Sequence, residues 1–178
     1  YCPARMTKAA PKFGLEPGMA MDLREVNPYT GKPWNFNNKE DKDWARFHVR
    51  TVKPYLLVGC PPCTYFCQIQ NWNWDRMDPE EAKQKWAEAM RHLEFCLELY
   101  QIQIDEGRYY LHEHPWSATS WKKRVMEAFI ERNKPIIRKG HMCAYEMYTW
   151  DHDGNSILAF KPTGWMGNCE PVMDEVSL

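Results

Sequence analysis

Residues 55–67 read YLLVGCPPCTYFC. The run Tyr55–Val58 is apolar, is bounded by Pro54 and Gly59, and is short for a helix. That combination predicts a strand covered on both faces of a sheet. Residues 60–75 follow as a long segment of Pro, Cys, Gln, Asn and Trp. Long loops inside compact domains tend to carry function.

Working outward toward the C-terminus, Asp78 is placed to cap a helix, with Pro79 at its first position and Glu80 and Glu81 at its positive end. Trp86, Met90, Leu93, Leu97, Tyr100 and Ile104 recur every three or four residues, and Gly107 ends the pattern. Tyr109–Leu111 reads as a second strand, residues 112–119 as a loop, Ser120 to Arg132 as a helix, and Ile136-Ile137 as the start of a third strand. Residues 144–150 and 157–160 flank Asp153-Gly154-Asn155, which predicts a hairpin. Toward the N-terminus, Asp43–Val52 has helical spacing and residues 27–38 form a loop. Met19–Leu23 reads as a short buried strand, and residues 1–13 hold one or two helical turns. Strands alternating with helices predict a single α/β domain over residues 1–178. Its sheet is expected to be mostly parallel, with helices on both faces and a C-terminal antiparallel hairpin. The chain begins at Tyr1 rather than Met, so an upstream strand is expected to be missing from it.

The composition is that of a globular chain, 44% hydrophobic and 26% charged, with a net charge of −1. No basic field marks a nucleic-acid partner. A local cluster, Lys122, Lys123 and Arg124, could contact phosphates or could be a solvated helix face. The seven cysteines are an odd number in a chain too long for a small disulfide scaffold. No signal peptide opens the sequence and no apolar run is long enough to span a bilayer. A reducing intracellular compartment and no membrane partner are the expectations.

In open α/β sheets, ligands bind at the carboxyl ends of the strands. Asp22, the CPPC loop and His112-Glu113-His114 each follow a predicted strand, which would bring them to one crevice. Cys63 follows two prolines that stiffen its loop. A thiol held this way can act as a nucleophile, although a buried inert thiol is the alternative. Glu113 could donate a proton or be an ordinary paired carboxylate. Asp22 could accept from ribose hydroxyls or merely cap a loop. Cys60, Cys63 and Cys67 are spaced C-x-x-C-x-x-x-C, without the two separated pairs usual for zinc. No metal ligand is therefore assigned, and a metal-stabilised Cys-rich domain stays as an alternative. Trp72, Trp74 and Trp116 could stack on a base or serve loop packing.

GCPPCTYFC resembles the Pro-Cys nucleophile loop of DNA cytosine-5 methyltransferases. Pro62-Cys63 match the Pro-Cys pair, Phe66 matches the family's Phe, and Cys67 stands where Ser is usual. YYLHEHP is similar to the family's strand ending in Glu-Asn-Val, with Glu113 in the Glu position. HMCAYEMY and FKPTGWMGN look like segments of short phage- or mobile-element-type relatives, the match being carried by Lys161, Pro162 and Thr163. YCPARM, GLEPGMAMDL and WNF resemble divergent members without a glycine-rich first motif. The resemblance implies a Rossmann-like methyltransferase sheet without a separate target-recognition domain. It also implies transfer of a methyl group from S-adenosylmethionine to C5 of cytosine in DNA. Cys63, supported by Pro62, would attack C6 of a flipped base and Glu113 would engage N3. Asp22, Pro61 and Asn35 would meet the cofactor, and Lys161 and Thr163 the nucleic acid. The near-neutral charge and the missing glycine loop support a second reading: a relative that associates with nucleic acid without catalysing.

Overall fold

The computed structural model describes residues 4–74 and 76–177. Six α-helices are described: α1 Arg5–Ala9, α2 Lys39–Val52, α3 Asn71–Trp74, α4 Pro79–Asp105, α5 Arg124–Asn133 and α6 Glu170–Glu175. The strands are β1 Leu56–Gly59, β2 Tyr109–Pro115, β3 Ile136–His141, β4 Tyr148–Trp150, β5 Ser156–Leu158 and β6 Pro162–Gly167.

The main sheet has the order β1-β2-β6-β3. This corrects the expectation of a mostly parallel, Rossmann-like sheet. Only β1 and β2 pair in parallel, and β6 is antiparallel to both β2 and β3. The physical reason lies in β6. It returns between β2 and β3, which run in the same sense, so those two never become neighbours. Its sequence, PTGWMG, has too many strand breakers to read as a strand. Both glycines are nevertheless required there. A Cβ on Gly164 would lie 2.6 Å from a Trp121 ring carbon, and one on Gly167 would lie 2.7 Å from the Tyr110 carbonyl oxygen.

A second correction concerns Met19–Leu23, which is not a strand of the sheet. Met19 and Met21 pack instead on an apolar cluster of Trp34, Ala45, Val49, Phe95, Leu99 and Ile102 that joins α2 to α4 and touches Leu57 of β1. The segment thus lies beside β1 through its side chains rather than through a hydrogen-bonded ladder.

Helix α4 starts where its cap predicts. Asp78 accepts from the backbone N–H groups of Glu80 (3.0 Å) and Glu81 (3.1 Å), and Gly107 takes φ +71° past the end. Its other face builds the main core. Leu93, Leu97 and Tyr100 meet Tyr110 and Met166 of the sheet and Met126 and Phe129 of α5. Each such buried side chain contributes about 1.5–3 kcal/mol. The opposite sheet face is met by α6, whose Met173 is fully buried and lies where a Gly167 Cβ would point.

The hairpin expected over residues 144–160 forms as β4 and β5, paired antiparallel around Asp151–Asn155. Every residue of both strands is exposed.

Gly164→Ala is expected to destabilise the fold by about 1–3 kcal/mol through the clash with Trp121. Gly18→Ala, with open space around its Cβ, should leave stability within about 0.5 kcal/mol of the parent. Urea unfolding of both variants checks the pair, and equal stability would show that β6 does not need the missing side chain.

Candidate active site

Because β1 and β2 are parallel and paired Gly59↔His112, both chains leave the sheet at the same end. The loop from Cys60 and the residues from Glu113 are therefore neighbours, though about fifty positions apart. Strand β6 runs the other way, with Pro115 opposite Thr163, so the residue before it, Lys161, arrives at that end too. Its ammonium sits 3.3 Å from Glu113 Oε1. The Glu113 side chain is 14% exposed and that of Lys161 44%, so the carboxylate is sheltered and the ammonium reaches in from the rim.

Cys63 precedes a 3₁₀ turn, Thr64–Phe66, and Cys67 follows it. Phe66 N–H donates to the Cys63 carbonyl at 2.9 Å, and the buried Phe66 ring anchors the turn in the core. Both thiols are half-buried and neither forms a disulfide. Burial pushes the Cys67 thiol up to about 11, and the hydrogen-bonded Cys63 thiol adds to the rise. Lys161 and Glu113 also act electrostatically on Cys67, in opposite directions. Cys63, Cys67, Glu113 and Lys161 therefore form one constellation from three separated segments.

Behind it lies a clamp that sequence reading did not find. His114 is fully buried. Its Nε2 donates to the Pro61 carbonyl at 3.1 Å, and its Nδ1 lies 2.6 Å from Ser120 Oγ. A carbonyl only accepts, so Nε2 carries the proton and Nδ1 accepts from the Ser120 hydroxyl. Ser120 thus bonds a side chain in the core instead of capping a helix, and α5 starts at Arg124. His112 is also fully buried, with Tyr100 Oη 3.0 Å from its Nδ1. Its Nε2 lacks a hydrogen-bond partner among the described residues, and the Trp121 indole stands edge-on to its ring at 5.4 Å. The signal for this pair was period two: His112 and His114 share the sheet face covered by α4 and α5.

The other expected site residues lie as follows. Pro62 is exposed beside Cys63, whereas Pro61 is buried behind the loop. Thr163 is fully buried and donates its hydroxyl to the Lys161 carbonyl at 3.2 Å, which removes it from nucleic-acid contact. Asp22 caps a turn, with Oδ1 accepting from Arg24 N–H at 3.0 Å. Asn35 Oδ1 accepts from Asn37 N–H at 3.0 Å, in the loop that enters α2. No contact joins Asp22 or Asn35 to the Cys63 constellation among the described residues. Asp22 Oδ2 and the Asn35 side-chain NH₂ have no hydrogen-bond partner among the described residues, so they keep an acceptor and donors suited to a ribose and an adenine.

Trp74 packs on Tyr65 and Trp86. Trp116 is 45% exposed at the site end, and Lys139 Nζ stands 5.9 Å from its ring centroid. Lys123 covers the Trp86 ring at 4.4 Å, a packing role within the basic cluster. The Trp72 ring and residues Tyr1–Pro3 of the YCPARM segment lie outside the described residues. Among the described residues no group of three His, Cys, Asp or Glu side chains is placed to hold a metal ion. No described helix is long and apolar enough to cross a membrane.

No protein-family model, curated protein or solved structure matches the chain.

Burial pushes His114 down to about 4, so its folded ring is neutral. The unfolded ring titrates near 6.5. Between those values the unfolded chain binds the extra proton, so stability is full above about pH 6.5 and falls as pH drops toward 4. For His114 this amounts to on the order of 3 kcal/mol. Urea unfolding from pH about 7.5 to about 4.5 should show that slope, and His114→Gln should lessen it, with buried His112 keeping the remainder. An unchanged slope in the variant would remove His114 as its source.

Proposed function

We propose that this chain transfers a methyl group from S-adenosylmethionine to C5 of a cytosine in DNA, with Cys63 as the nucleophile. The observation that carries the reading is the constellation itself: a positioned thiol, a sheltered carboxylate and an ammonium meet at one end of the sheet. That set matches the chemical demand of opening a pyrimidine ring to substitution.

The target base has to leave the duplex stack to reach these groups. The Cys63 thiolate adds to C6. Glu113, carrying the proton that the Cys63 thiol gives up, hydrogen-bonds N3 and delivers it there, so that charge pushed into the ring is held at N3 while C5 becomes nucleophilic. Lys161, paired with Glu113 in the free site, balances the negative charge beside the thiolate and keeps the carboxyl group oriented. Asp22 and Asn35 would hold S-adenosylmethionine, which would supply an electrophilic methyl group. Loss of the C5 proton then expels Cys63 and restores the aromatic ring. The His114 clamp holds the Pro61-Pro62-Cys63 backbone throughout, which limits the motion of the thiol at no further entropic cost. On the rim, exposed Trp116 offers a stacking surface and Lys139 a phosphate contact.

A second reading draws on the net charge of −1: association with nucleic acid without catalysis. Both readings meet one test. The chain is incubated with S-adenosylmethionine and duplex DNA carrying 5-fluorocytosine, then run on a denaturing gel. Fluorine blocks the final elimination, so catalysis leaves a covalent adduct. The expected result is a shifted band that disappears in Cys63→Ser. On unmodified DNA, Glu113→Gln should slow methyl transfer by about 10²–10⁴. Duplex binding without any adduct would favour the non-catalytic reading, and an adduct that survives Cys63→Ser would overturn the role given to that thiol.

A further inference from the structure

Three cysteines lie within the loop after β1, and they are not equivalent. Cys60 is exposed and lies within electrostatic reach of the Tyr100 hydroxyl, on the α4 side of the sheet. Cys63 and Cys67 flank a single 3₁₀ turn, both half-buried, and the Cys63 thiol is near enough to help raise the Cys67 thiol. The two prolines that separate Cys60 from Cys63 restrict the backbone turn a bond between those two would need. No such restriction separates Cys63 from Cys67. The methyl-transfer reading uses Cys63 and leaves Cys67 without a task.

We propose that Cys63 and Cys67 form a redox-active dithiol, a modification site at which peroxides convert the pair reversibly into an intramolecular disulfide. The inference concerns the two thiols and does not depend on methyl transfer. In the first step the Cys63 thiolate attacks a peroxide oxygen. The O–O bond breaks, hydroxide leaves and takes up a proton as water, and Cys63 becomes a sulfenic acid. In the second step the Cys67 sulfur attacks the Cys63 sulfur. The S–O bond breaks, and the departing hydroxide takes the Cys67 proton and leaves as a second water. Two thiols lose two electrons in total, and one peroxide is reduced to two waters when hydrogen peroxide is the oxidant. Thiols at the two ends of one turn have only to close to a sulfur–sulfur bond of about 2.05 Å. Cys67 keeps its proton near neutral pH, which suits the second, resolving thiol. The product ties up the nucleophile without loss, because a disulfide is reducible whereas the sulfinic acid that forms on further oxidation is not.

The full chain is treated with hydrogen peroxide, its remaining thiols are blocked with N-ethylmaleimide, and the digest is sequenced by tandem mass spectrometry. The expected peptide over Cys60, Cys63 and Cys67 is lighter by two hydrogens and carries one label, on Cys60. Dithiothreitol should restore labelling of all three. In Cys67→Ser the same treatment should carry Cys63 to a sulfinic acid that dithiothreitol does not reverse. A label found on Cys63 or Cys67 in the oxidised wild type would overturn the proposal. So would sulfinic acid at Cys63 forming as fast in wild type as in the variant. The wild-type measurement stands alone should the variant fail to fold. Failure of fluorocytosine trapping, by contrast, bears only on methyl transfer.

Discussion

Strand β6 can lie between β2 and β3 only because Gly164 and Gly167 carry no side chain where Trp121, Met173 and the β2 backbone already stand. The rest of the site depends on that close approach. Because β6 is antiparallel to β2, its entry residue meets the exit of β2, which is how Lys161 reaches Glu113. Asn168 fastens the other end of the same strand: it accepts from Tyr110 N–H at 2.9 Å and donates to the Arg108 carbonyl at 3.0 Å. A strand pinned at both ends gives the ammonium a defined position, although its side chain is long.

The core beneath the site is unusually polar for its depth. Tyr100, His112, His114 and Ser120 are all nearly or fully buried and linked through two short chains of hydrogen bonds. Directional bonds at this depth favour one arrangement of side chains, although His112 Nε2 has no hydrogen-bond partner among the described residues. The cost is that both imidazoles must stay neutral, and burial lowers the proton affinity of each. Stability at acid pH is thereby exchanged for a rigid seat under the Cys63 loop.

Much of this was legible in the residues. Asp78, Pro79 and Gly107 mark both ends of α4, and the apolar spacing of that helix identifies its core face. The Cys63 loop and Glu113 stood out by their places after apolar runs, and the structure brings both to the same end of the sheet. The direction of the sheet was not legible, because glycines chosen for close packing made β6 look like a loop. Met19–Leu23 looked like a strand because it is a short apolar run, yet its half-buried methionines pack on a cluster between helices rather than in a ladder. Lys161 and Thr163 share a three-residue motif, but Lys161 precedes β6 and stays at the rim, whereas Thr163 lies within the strand and is fully buried. His114 looked like a departure from a pattern, and its partners, the Pro61 carbonyl and the Ser120 hydroxyl, are distant in sequence or hidden in a turn.

The hairpin bears on how the protein behaves in bulk solution. Tyr148, Trp150, Ile157, Leu158 and Phe160 are 44–76% exposed on a ribbon of two strands. Such a ribbon has two open edges and is a template for pairing with another chain. Residues 142–160 hold Glu146, Asp151 and Asp153 and no lysine or arginine, so like-charge repulsion is what keeps two such ribbons apart. That barrier is electrostatic and weakens with added salt or with acid. Colloidal stability is therefore set by the ionic conditions of the solvent, independently of how firmly the sheet itself is folded.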